Sequence, residues 1–259
     1  MTDPDLESAL VPYVAGHVWL KRYPVRFAAM DISARLTLLR LRDGSLLAHS
    51  PCPIDAALRA EVEAIGPLRH IVAPGDYHYF HVAAWQEAFP EATTWICPGV
   101  ERKLPDLRFD WLLGDRSPSE WEREIDQVLV RGTRFIVEVA FFHRPSRTLI
   151  LTDLVEYVGD ETPGASDRLL RFWWKAVFRM WNRAKPAPEY QMGWRDKAAA
   201  RESLERILAW TSSASCSRMA TALTSTRRTA CGKLGRIPCG ADRPAPRRCG
   251  AYSSLGSVR

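Results

Sequence analysis

No apolar run in the sequence approaches the roughly 20 residues that a bilayer-spanning helix needs, so the pattern gives no transmembrane segment. The opening MTDPDLESAL is acidic and has no apolar stretch of the kind that marks a secretory signal. Cysteine is scarce where the chain is patterned: of the six, only Cys52 and Cys97 precede Thr211. So few exclude a disulfide framework and fit a reducing compartment, and the expected location is cytoplasmic. Charge of one sign is also missing from the body. Nine of the 36 Lys and Arg but one of the 30 Asp and Glu lie beyond Trp210, leaving 27 basic against 29 acidic residues before it. The net charge of +6 thus belongs to the last 49 residues, and a nucleic-acid partner is not expected of the body.

What is present is an alternation of apolar segments. Residues 18–19 and 26–30 are predicted as short strands separated by Arg22, Tyr23 and Pro24. Residues 36–41 (LTLLRL) and 46–49 (LLAH) flank Asp43-Gly44, the signature of a hairpin. Residues 54–65 then give a helix with Ala57, Leu58, Val62 and Ile65 on one face, and Gly66-Pro67 stops it. A strand at residues 70–73 runs into Pro74-Gly75, a loop with Asp76, His78 and His81, and a helix over about 81–89. Strands follow at 93–97, 127–131, 135–142 and 148–152, with a helical turn at 117–125 capped by Ser119, and a last helix at 195–210. The order is that of an α/β domain over residues 1–210.

Ionisable side chains at the carboxyl end of a strand sit where open α/β sheets bind ligands, so the loop after residues 70–73 is the candidate site. Elsewhere the alternatives stay open. His143 is either a hairpin histidine bonded to backbone or a ligand, and Glu138 either pairs with an arginine such as Arg147 or faces the site. Cys52 and Cys97 each follow an apolar strand and read as core residues. Residues 167–185 (DRLLRFWWKAVFRMWNRAK) read as a basic amphipathic helix. It either packs on the sheet or docks on a membrane surface or a protein partner through Trp173, Trp174 and Trp181.

Past Trp210 the composition turns to Ser, Thr, Arg, Gly, Pro and Cys without periodicity. Residues 211–259 read as a basic, disordered tail or as a segment translated out of frame. Restoring one G beside the Trp210 codon in a back-translation yields Trp-Asp-Phe-Glu-Arg-Val-Val-Leu-Ser-His-Gly-Asp, a strand followed by His-Gly-Asp. The loss of local consistency favours the second reading, which the coding DNA would overturn if no base is missing there.

The sequence RPSRTLILTD at residues 144–153, with Phe141-Phe142-His143 before it and Ala73-Pro74 and His78 upstream, resembles a bacterial domain-of-unknown-function branch of the metallo-β-lactamase superfamily. The resemblance implies an αββα sandwich, incomplete here at its C-terminus. It also implies zinc or another divalent metal that activates water for hydrolysis. The superfamily's HxHxDH loop is missing, since Pro74-Gly75-Asp76-Tyr77-His78-Tyr79 stands in its place, and Gly132-Thr133-Arg134 occupies the position of a later histidine. The ligands implied are His78 and Asp153, with Asp76 and His143 as further candidates. His81 would point away if His78 points inward. The expected function is a metal-dependent hydrolase with a degenerate, impaired site and an unassigned small-molecule substrate. The alternative is a non-catalytic binding or scaffold domain that docks through residues 167–185.

Overall fold

The computed structural model describes residues 9–27, 30–159, 171–212 and 218–221. A seven-stranded sheet comes first: β1 (Val11–Val14), β2 (Val18–Phe27), β3 (Met30–Arg40), β4 (Leu46–His49), β5 (Leu68–Ala73), β6 (Thr93–Ile96) and β7 (Trp111–Leu112), neighbours in chain order. The strands are antiparallel from β1 to β4 and parallel from β4 to β7. Parallel neighbours need crossovers, which α1 (Ala56–Ile65) and α2 (Val82–Ala88) supply, with a short α3 (Val100–Lys103) before β7. Asp55 caps α1 by accepting from the Leu58 amide. Only Leu58 and Val62 of α1 are buried, while Ala57 is exposed.

The second sheet holds β8 (Ile125–Leu129), β9 (Val139–His143), β10 (Thr148–Leu151) and β13 (Arg218–Thr221), in the order β13-β10-β9-β8. Successive side chains of a strand face opposite ways, and β9 shows what that achieves. Val139 and Phe141 join the core shared with Leu38, Leu47 and Ile71 of the first sheet. Ala140 and Phe142 face outward onto Tyr190 of α4 (Pro188–Gly193) and Leu204 and Ile207 of α5 (Lys197–Ser212). Burying an aromatic or branched side chain contributes on the order of 2 kcal/mol, so both faces of β9 tie layers together. The result is an αββα sandwich.

Several elements differ from their sequence expectations. β2 is one strand of ten residues that carries Pro24. Pairing with β1 stops at Leu20, so Pro24 faces β3 alone and its missing N–H costs no ladder bond on the open side. The helical turn expected at 117–125 is absent: residues 119–124 form turns and Ile125 opens β8; Ser119 Oγ donates to Glu120 and leaves the backbone uncapped. Residues 135–137 stay outside β9 because Asp76 takes up the Val137 backbone.

The helix expected at 167–185 does not run its length. Residues 167–170 lie outside the described residues, and from Arg171 the chain makes one π-helical turn at Trp173–Val177 before reversing. Arg179 and Asn182 take left-handed φ of 54° each, and β12 (Arg183–Lys185) pairs antiparallel with β11 (Glu156–Val158). Lys185 precedes Pro186, which disfavours helix and favours this extended end. Trp174 is buried against Val158 and Met180, whereas Phe172 and Trp173 are exposed. No helix among the described residues is long and apolar enough to cross a membrane. Beyond Trp210, α5 continues to Ser212, and the backbone of β13 pairs parallel with β10; the tail cysteines lie outside the described residues.

Candidate functional site

The parallel strands β4, β5 and β6 end on one edge of the first sheet, and a bridge between Gly75 and Glu138 brings that edge to the start of β9. Asp153, just past β10, reaches the same place. His78 sits between them, 7% exposed. Its Nδ1 is 2.8 Å from Ser50 Oγ at the end of β4, and its Nε2 is 3.2 Å from Asp153 Oδ1. A carboxylate only accepts, so Nε2 carries the proton toward Asp153 and Nδ1 accepts from the Ser50 hydroxyl. Burial pushes the His78 imidazolium down, but Asp153, backed by Glu138 and Asp76, more than offsets this, and the net shift is upward.

Asp153 is held by a residue whose role the sequence leaves open. The fully buried Glu138 accepts from the Thr152 amide at 3.0 Å and the Leu154 amide at 2.7 Å, one on each side of Asp153. The Tyr190 hydroxyl approaches the same carboxylate at 3.4 Å. Glu138 is therefore a backbone clamp, not the partner of Arg147. Burial, with the Asp153 charge beside it, raises its carboxyl to about 7. Glu156 and Glu189 are also shifted upward, chiefly by burial with Asp153 adding. Asp153 Oδ2 is buried without a hydrogen-bond partner among the described residues.

The other candidates are placed elsewhere or already engaged. Asp76 Oδ1 accepts from the Val137 amide at 3.0 Å and Oδ2 pairs with Lys103 Nζ at 2.8 Å. Lys103 also lies 3.7 Å from the centre of the Tyr77 ring. Asp76 thus closes the loop against the second sheet. His143 ends β9, four residues from Val139 and hence about 13 Å along the strand from the site edge. There its Nδ1 lies 2.6 Å from Ser146 Oγ, a side-chain partner in the hairpin in place of the backbone one expected from sequence. His81 precedes α2 and packs edge-on against Tyr23 at 5.6 Å. The 132–134 loop packs on the stretch before α5: Gly132 has φ of +87°, and a Cβ there would lie 2.1 Å from the Asp196 carbonyl, so only glycine fits. Cys52 and Cys97 are buried thiols pushed upward, Cys52 to about 12, by burial, consistent with core roles.

Ser50 and His49 carry no sequence motif. Their one signal is position: Leu46–His49 ends on the edge where the Asp76 loop begins. His49 is fully buried, edge-on to Phe141 at 5.1 Å, with neither ring nitrogen bonded among the described residues.

Two facing sheets flanked by helices, with a loop site at their common edge, define the metallo-β-lactamase fold. A metallo-β-lactamase from Pontibacter korlensis aligns with TM-score 0.54 and 8% identity, over 81% of this chain and 88% of its own. The mono-zinc form of FIM-1 from Pseudomonas aeruginosa gives 0.53 and 10%, over 84% and 89%. A metallo-β-lactamase from Hirschia baltica gives 0.52 and 12%, over 83% and 90%. At such identities the likeness is one of fold. No curated protein matches the sequence. Within the fold, the chain belongs to the family described as Domain of unknown function (DUF4336), whose model matches residues 16–226.

Zinc takes four protein ligands in a structural site and three in a catalytic one. Here both His78 nitrogens and both Asp76 oxygens are engaged within the protein, and His143 lies at the far end of its strand. Among the described residues, no three His, Cys, Asp or Glu side chains converge to hold a metal ion. The donor set does not fit a zinc centre.

Proposed function

We propose that this chain is a metallo-β-lactamase-fold protein whose metal-dependent hydrolase site has degenerated, the hydrogen-bonded chain Ser50–His78–Asp153 standing where a metal centre would be. The observation that carries this is the engagement of both His78 nitrogens, at 2.8 Å and 3.2 Å. A ligand histidine needs one nitrogen free for the metal while the other bonds an outer partner. The two body cysteines, buried and unpaired, support a cytoplasmic setting. Zinc is expected not to stabilise the protein: thermal unfolding with and without excess zinc should give the same midpoint. A site binding at a hundredfold above its dissociation constant would add about 2.7 kcal/mol, so a clear rise that Asp153→Ala abolishes would overturn this reading.

A second reading, a docking surface, is favoured by Phe172, Trp173 and Val177, exposed at 58%, 47% and 48%, beside Arg171 and Lys175. Exposed aromatics next to basic residues suit an anionic membrane surface. The full chain is then expected to co-sediment with phosphatidylserine-containing vesicles, and Trp173→Ala to weaken this several-fold. Trp174, being buried, is not a useful contact variant. Equal sedimentation of the wild type with neutral and anionic vesicles, or none with either, removes the second reading.

A further inference from the structure

We propose that Ser50, His78 and Asp153 form a metal-free acyl-transfer site, in which Ser50 Oγ attacks the carbonyl of a small ester. The proposal rests on the reading that His78 is not a metal ligand. Three residues far apart in sequence meet in the order hydroxyl, imidazole, carboxylate, at 2.8 Å and 3.2 Å. That order is what a nucleophile, its base and the base's orienting partner require, whatever fold presents them. Here Asp153 accepts from Nε2–H, which fixes the tautomer and leaves Nδ1 as the base facing the hydroxyl.

The backbone adds an independent sign. Ser50 has φ of 58°, and of the four described non-glycine residues with positive φ it alone is buried; Arg147, Arg179 and Asn182 are exposed. A left-handed serine at the carboxyl end of a strand costs of the order of 1 kcal/mol or more, strain that clusters at functional sites. It turns the hydroxyl off the sheet toward His78, as a strand-end nucleophile needs. The rest is preorganised too: Glu138 pins both amides beside Asp153, and Asp153 Oδ2 has no other partner among the described residues, so its charge is committed to the imidazole. The Tyr23 phenol packs near Ser50, its hydroxyl 3.4 Å from the Pro51 carbonyl. Ser50 is buried, so small reagents are the ones with which to test it.

The step balances with water as co-reactant. The Ser50 Oγ–carbonyl bond forms as its proton passes to His78 Nδ1. The ester C–O bond breaks, and the departing oxygen takes that proton to leave as an alcohol. Water, losing a proton to Nδ1, then cleaves the acyl-serine to give the carboxylic acid and restore the hydroxyl.

The test uses the full chain in chelator with methanesulfonyl fluoride, where the Ser50 oxygen–sulfur bond forms as fluoride leaves, and peptide mass spectrometry reads the adduct. A single adduct on Ser50 is expected, slowed about 100-fold or more in Asp153→Asn and in His78→Gln, the range a lost base and its orienter give. With p-nitrophenyl acetate, the wild type should release one p-nitrophenolate per chain in a burst that Ser50→Ala lacks. Circular dichroism checks each variant's fold, and Asp153→Asn, which keeps side-chain shape, stands in if His78→Gln does not fold. No Ser50 adduct on the folded wild type, or equal labelling in folded Asp153→Asn, overturns the inference. Zinc binding reads the metal-free premise separately, so protein that binds no zinc and gives no adduct defeats this inference alone.

Discussion

Acidification below about pH 6.5 is expected to unfold the protein through two histidines buried as neutral bases. Burial, with His78 nearby, pushes His49 down to about 3, and burial, with His17 nearby, pushes His143 down to about 4. A folded pKa depressed below the unfolded value means that the unfolded chain binds the proton first. The stability is therefore fully present above the unfolded pKa of about 6.5 and is lost as pH falls toward the folded values. At about 1.4 kcal/mol per unit and per group, the two together lose on the order of 5 kcal/mol between about pH 6.5 and 4.5. That rivals the whole stability of a marginal domain. Neither ring nitrogen of His49 has a partner among the described residues, so His49→Leu should move the acid-unfolding midpoint, followed by circular dichroism, to lower pH. An unchanged midpoint would show that His49 is not buried as a neutral base.

The second large effect belongs to Glu138→Ala. The change strips the acceptor from the buried Thr152 and Leu154 amides. Each unpaired donor costs about 1–3 kcal/mol, and with the cavity left behind a total of about 3–5 kcal/mol is expected in urea unfolding. The pH dependence has a definite sign. The folded carboxyl is raised to about 7, so its contribution is fully present below the unfolded value of about 4.5 and declines as pH rises through about 7. The gap between wild type and variant should be widest near pH 5 and narrow toward pH 8. A gap under about 1 kcal/mol, or one that widens with pH, would remove Glu138 as the clamp on Asp153.

Much of the fold is legible in the sequence because its signals are local. Asp43-Gly44 between two apolar runs marks the β3–β4 hairpin, and 148–151 with Asp153 behind it marks β10 and the acid that hydrogen-bonds His78. The elements that local sequence does not reveal depend on distant partners. Pro24 breaks a strand by propensity but is tolerated because β1 ends short of it. The aromatic pattern after residue 167 suggests one helix, yet Arg179, Asn182 and Pro186 turn the chain into β12.

The site divides the same way. Strand-then-polar-loop order points to His78, and the loop itself reads Pro74-Gly75-Asp76-Tyr77-His78-Tyr79, without the HxHxDH pattern. The Ser50 partnership spans 28 residues and that of Glu138 with residues 152 and 154 spans 14 and 16, with no motif at either end. Asp76 looks like a ligand in sequence because the salt bridge that occupies it, from Lys103, comes from the end of α3, 27 residues on.

The central claim, that His78 belongs to a hydrogen-bonded chain instead of a metal centre, is tested most directly by nitrogen-15 NMR of the histidine rings with and without added zinc. The expected result is a His78 whose Nε2 carries the proton and couples across its hydrogen bond to Asp153, whose Nδ1 is an acceptor, and whose signals do not move when zinc is added. A His78 nitrogen that loses its proton or shifts to a metal-bound position on stoichiometric zinc would contradict the account.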